Sequence, residues 1–136
     1  MRVTVDTNVL IRVVARDDKV QADAAAQLLR EAELIAVPTP CLCEFVWVLR
    51  KVYHFTPQDI AAALEALLNV ANVVVNRPSV DAGLAVLKSG GDFADGVIAF
   101  EGLWLGGETF MSFDRGAVAR LVAQGQAAML VEHSAH

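Results

Sequence analysis

The chain contains no apolar run approaching the ~18 residues that a membrane-spanning helix needs. Cysteine is scarce: Cys41 and Cys43 stand one residue apart, and no second cysteine or histidine pair completes a zinc set. Their side chains diverge on a helix or share one face of a strand. Neither arrangement suits a bridge, so two reduced packing thiols are expected. A basic surplus is also missing. Eleven Lys and Arg against sixteen Asp and Glu leave a net charge of −5. That is the wrong sign for a protein that grips nucleic acid mainly by counterion release. No internal repeat, low-complexity tract or linker interrupts the chain. Its start, Met1-Arg2-Val3-Thr4-Val5-Asp6, places a carboxylate where a signal peptide carries its apolar region. A cytoplasmic protein without a membrane partner is expected.

What is present is a globular composition, 55% hydrophobic and 20% charged over 136 residues. It favours one domain over residues 1–136 with a sizeable core. Strand and helix patterns alternate throughout. Arg2 to Asp6 predicts a β-branched strand, followed by a helix to about Arg16. Lys19 to Glu33, rich in Ala, Leu, Gln and Glu, predicts a second helix. Leu34–Val37 predicts a strand. Thr39-Pro40 starts a third helix, with Thr39 as N-cap. Thr56-Pro57-Gln58-Asp59 resembles a capping box and starts a fourth, to about Asn69. Asn72–Val75 is a strand pattern, and Pro78–Ser89 is a helix closed by Gly90-Gly91. Asp92 opens a helix to about Leu105, with Asp92 as N-cap and Asp95 at the third position. Thr109–Phe113, Arg115–Ala123 and Ala127–Val131 predict strand, helix and strand. Five short apolar strands separated by helices imply an α/β fold with a mainly parallel sheet and helices on both faces.

In such sheets, ligands bind beyond the carboxyl ends of the strands. Asp6 and Asp114 stand at the ends of the first and fourth strands. Each has a plain alternative as the N-cap of the next helix. Glu44 is the single charged residue of Pro40–Leu49, which predicts a buried helix. A carboxylate there is costly unless paired, exposed by snorkelling, or bound to metal. Asp92 and Asp95 fit capping and favourable helix-dipole charge as well as function. Ala99, Gly102 and Gly106 form a small-residue stripe that would crowd Asp95. Carboxylates gathered without cations need protons or a divalent ion, and oxygen-only ligands favour Mg²⁺ or Mn²⁺. The chemistry such a site offers is metal-assisted displacement at phosphorus. Four acids taken up by metal would leave −1 of the net charge. Arg12, Arg16, Lys19, Arg50, Lys51, Lys88, Arg115 and Arg120 would then be available to phosphates. Val13, Val14, Phe45, Trp47, Trp104 and Leu105 read first as core and second as partner contacts. His54, His133 and His136 suggest no role.

Val5-Asp6-Thr7-Asn8-Val9-Leu10, Glu44 in its apolar helix, Asp92-Phe93-Ala94-Asp95-Gly96-Val97-Ile98-Ala99 and Ser112-Phe113-Asp114-Arg115 together resemble the four landmarks of PIN-domain nucleases. They are most similar to VapC-type toxins of bacterial toxin–antitoxin pairs, in order and over essentially the whole chain. The resemblance implies a three-layer PIN-like fold and an acidic quartet of Asp6, Glu44, Asp95 and Asp114 around Mg²⁺. It further implies that Asn8 orients Asp6, that Ser112 is the small hydroxyl residue before Asp114, and that Asp92 caps its helix. It implies a ribonuclease leaving a 5′-phosphate and a 3′-hydroxyl, forming a homodimer and silenced by a VapB-like antitoxin. A catalytically silent PIN-fold scaffold is the alternative. Phosphatase and receiver readings fail on residues: Asn8 stands where a dehalogenase-type phosphatase needs its second Asp. A nucleotide-binding loop should precede a helix, whereas both Gly-Gly pairs follow one.

Overall fold

The computed structural model describes residues 1–132; His133 and His136 lie outside the described residues. The chain divides into two compact units, Met1–Arg77 and Pro78–His136. In the first, the order is β1 (Arg2–Thr4), α1 (Thr7–Ala15), α2 (Lys19–Glu31), β2 (Leu34–Ala36), α3 (Thr39–Lys51), α4 (Pro57–Leu68) and β3 (Val73–Val74). The second contains α5 (Arg77–Lys88, its first residue belonging to the first unit), α6 (Phe93–Trp104), β4 (Phe110–Ser112), α7 (Arg115–Ala123) and β5 (Ala128–Leu130). The alternation is α/β, and every strand pair is parallel.

The strands form two ladders, β1-β2-β3 and β4-β5, and not the single five-stranded sheet expected. Each strand is only two or three residues long. The apolar pattern that located the strands carries no information about which of them pair. Val3 faces Ile35, Ile35 faces Val73, and Met111 faces Met129.

The first unit closes on Leu10, Ile35, Leu42, Phe45, Leu49 and Leu64, all essentially inaccessible. Each such side chain contributes about 2 kcal/mol of burial free energy. The second closes on Val86, Ala99 and Leu121, with Phe110 and Ala128 packed against them. In that unit α5 and α6 come very close. A Cβ on Gly96 would collide with the carbonyl of Ala82, and one on Gly83 would meet the Phe93 ring at 2.6 Å. The expected stripe of Ala99, Gly102 and Gly106 is not the contact. Ala99 is buried, but nothing lies within 4 Å of a Cβ placed on Gly102 or Gly106. Gly106 instead ends the helix at φ +96°, a conformation glycine adopts without strain.

Helix starts follow the capping signals with one shift. Asp59 N–H donates to the Thr56 hydroxyl at 3.1 Å, as the Thr-Pro-Gln-Asp signal predicts. Pro38, not Thr39, is the N-cap of α3, and no side-chain bond caps that helix. Thr39 already belongs to the first turn and is buried. Among the described residues, no helix is long and apolar enough to cross a membrane.

Candidate active site

In the first unit, Asp6 follows β1 and opens α1. Its extended backbone lets Oδ1 accept the Val9 N–H at 3.3 Å. The plain reading of Asp6 as an N-cap therefore holds, and the cap leaves the second oxygen uncommitted. Glu44 lies on α3 and is exposed, so the expected buried carboxylate is corrected. Helix α3 is apolar in residue type but not buried all round, since Trp47, one turn beyond Glu44, is also exposed, at 57%. Glu44 thus needs no buried cation and is open to a ligand.

Cys41 lies beside these acids. The Thr7 hydroxyl donates to its Sγ at 3.6 Å, and the thiol donates to the Val5 carbonyl at 3.8 Å. Burial raises the thiol's pKa. The Thr7 bond opposes this, and the charges of Asp6 and Glu44 add to it. Both carboxylates therefore act on one point of the unit. Asn8 is exposed and borders a cavity of about 290 Å³ with Val9, Arg12 and Gln21. No hydrogen bond joins it to Asp6 among the described residues; the Val9 amide holds Asp6. Cys41 and Cys43 form no disulfide.

In the second unit, Asp92 caps α6 by accepting from Ala94 N–H at 3.1 Å. That places Asp95 in the first turn, half-buried. Asp114 caps α7, its Oδ1 accepting from Ala117 N–H at 3.0 Å. Ser112 sets the approach to Asp114, since its Oγ accepts the Asp114 N–H at 3.0 Å. Burial first, then the charges of Asp92 and Asp114, hold the Asp95 carboxyl above the ordinary range, and Arg120 partly relieves this. The three acids form one electrostatic group facing one guanidinium. Gly116 makes room for it: Arg120 Nη1 and Asp114 Oδ1 lie 3.0 and 3.3 Å from where its Cβ would stand.

Sequence reasoning placed the acids but missed Thr7 and Cys41, whose contacts span 34 and 36 residues and leave no local signal. Two cations read as available are engaged. Arg12 pairs with Asp17 at 2.9 Å, and Arg16 with Asp23 at 2.8 Å. Of the apolar residues read first as core, Phe45 is buried, while Trp104 and Leu105 are 81% and 89% exposed.

The donor chemistry fits a hard divalent cation. Every candidate ligand is a carboxylate, and Arg120 offsets only part of the charge that Asp92 and Asp114 bring to Asp95. Among the described residues, no three His, Cys, Asp or Glu side chains are grouped to hold a metal on their own. Mg²⁺ does not require that, because one or two carboxylates suffice when water and substrate phosphate complete its shell. No curated protein matches the chain. The PIN domain family model matches residues 3–121, taking in Asp6, Glu44, Asp95 and Asp114. A chain whose first and fourth strands are each followed by a capping Asp, and which matches that family over most of its length, belongs to the PIN domain family, a fold of nuclease type.

Proposed function

We propose that this chain is a Mg²⁺-dependent ribonuclease, with Mn²⁺ as a substitute, acting as the VapC-like toxin of a toxin–antitoxin pair. The observation that carries the reading is Asp95: half-buried, beside Asp92 and Asp114, with a carboxyl raised by burial and by those charges. A group in that position gains from a divalent cation what it cannot gain from Arg120 alone. Both compact units are assigned to one PIN domain over residues 1–136, because a single family match runs through the boundary after Arg77.

Asp6 and Asp95 are assigned as the main Mg²⁺ ligands. Asp114 would hold the ion directly or through water, or would hold a second one. When bound, the ion supplies a water of lowered pKa and offsets charge developing at phosphorus. Glu44, exposed on α3, would hold the metal or serve as base to the attacking water. One oxygen each of Asp6 and Asp114 stays on a helix amide, which fixes the carboxylate while its second oxygen serves the ligand. Ser112 holds the Asp114 amide, Asn8 lies beside Asp6, and Asp92 caps α6. Arg115 or Lys51 is assigned to meet RNA phosphates.

The partners are an RNA substrate, a VapB-like antitoxin and a second copy of the chain, in the cytoplasm. An apolar cavity of about 310 Å³ bordered by Leu10, Val13, Val14 and Phe45, and the exposure of Trp104 and Leu105, support a protein partner. The test is cleavage of total cellular RNA by the purified protein with Mg²⁺, beside an EDTA control and Asp6→Ala. Discrete fragments, lost in both controls, are expected. A folded, antitoxin-free protein that neither cleaves RNA nor binds Mg²⁺ would instead be a PIN-fold scaffold.

A further inference from the structure

We infer that Cys41 is a positioning residue for Asp6 and Glu44: its thiol ties together the two residues flanking Asp6, and its helix carries Glu44 one turn further on. The inference rests on the proposed metal-dependent activity.

Asp6 and Glu44 are both exposed. No packing holds either carboxylate, so their separation depends on how the backbone at the start of α1 is fixed against α3. The first turn of α3 has no side-chain cap. Its polar tie to the β1–α1 junction is Cys41, which accepts from the Thr7 hydroxyl and donates to the Val5 carbonyl. Val5 and Thr7 are the residues immediately before and after Asp6. Thiol hydrogen bonds are weak singly. This pair gains from burial, because Thr7 is only 7% exposed and a buried hydroxyl without a partner is costly. The Thr7 rotamer is thereby set by Cys41. Asp6, between two anchored residues and capped onto Val9, has little freedom left. Glu44 lies three residues beyond the tie on the same helix. Misplacing a ligand by a fraction of an ångström is enough to weaken a metal site, and the groups that orient ligands matter nearly as much as the ligands.

The experiment is Mn²⁺ titration of the full-length protein by calorimetry, with the thermal midpoint of each variant measured alongside. The set is wild type, Asp6→Ala, Cys41→Ala, Cys41→Ser and Thr7→Val. Wild type should bind Mn²⁺ and Asp6→Ala should lose it. Cys41→Ala and Thr7→Val should each weaken binding about tenfold. Cys41→Ser, which keeps a donor and an acceptor at the same place, should recover most of the affinity. Thr7→Val stands in for Cys41→Ala if the latter does not fold. If Cys41→Ala and Thr7→Val lower the thermal midpoint but bind Mn²⁺ like wild type, the tie is merely structural and the inference falls while the functional reading stands. If wild type itself does not bind Mn²⁺, the metal reading falls and takes the inference with it.

Discussion

Asp95 sits in the first turn of α6, where the helix dipole favours a negative charge. Its carboxyl is nevertheless raised, so burial and the repulsion from Asp92 and Asp114 outweigh both the dipole and Arg120. The sign of the linkage follows. The folded state holds this proton more tightly than the unfolded chain, so the associated stability is fully present below the ordinary value of 3.8. It is lost as pH rises through the raised folded value, and stays lost at neutral pH. Asp95→Asn removes that penalty without changing shape. In EDTA at pH 7 the variant should melt higher than wild type by roughly a few degrees, with the gain vanishing towards pH 3.8. Saturating Mg²⁺ should reverse the order, because only wild type gains from binding. Thermal melts at several pH values, with and without Mg²⁺, check both halves; an Asn variant that melts lower in EDTA would contradict the electrostatic account. At this scale Asp6, Asp92 and Asp114 were legible as helix caps, because each opens a helix with a capping amide two or three residues on. Arg120 was legible only as a cation, since its influence on Asp95 is set by packing and not by local sequence.

Helices in this chain announce themselves by their caps, and their neighbours do not. Asp92-Phe93-Ala94-Asp95 and Thr56-Pro57-Gln58-Asp59 gave starts that the structure reproduces, because capping is settled within four residues. The face of a helix that touches another helix is settled by packing, and there composition misled twice. In α3 the run of apolar types suggested full burial, but Trp47 and Glu44 share an exposed face. The eye-catching small residues Gly102 of α6 and Gly106 just beyond it border open space, whereas Gly96 of α6 and Gly83 of α5 make the close approach. Two substitutions separate these roles. Gly96→Ala drives a methyl into the Ala82 carbonyl, a backbone atom that cannot swing aside. It should cost about 2 kcal/mol or more. Gly102→Ala adds a methyl where nothing lies within 4 Å. It should stabilise by up to about 1 kcal/mol through helix propensity. Urea denaturation midpoints of the two variants check this; equal midpoints would dispose of the α5–α6 close approach.

The whole molecule carries −5, and that bears on how it can hold RNA. A protein making six to ten phosphate contacts loses about 10³–10⁵ in affinity between 50 and 200 mM salt, whereas one or two contacts lose less than about tenfold. Of the eight cations read as available, Arg12 and Arg16 are tied to Asp17 and Asp23. Arg12 also donates to Gln21 at 2.7 Å, and Tyr53 donates to the other oxygen of Asp17 at 2.8 Å. These residues join α1 to α2 through side-chain contacts. Under the proposed function these two arginines are not counted among the phosphate contacts. Under the proposed function, attraction is local, through divalent cation on the acids and one or two phosphate contacts. The KM for RNA cleavage at fixed Mg²⁺ should rise by less than about tenfold between 50 and 200 mM KCl, and steeply as Mg²⁺ is withdrawn. A thousandfold rise with KCl would mean that the remaining cations act as one basic surface. Charge reversal at Lys51 and Arg115 would then be the first substitutions to flatten the salt dependence.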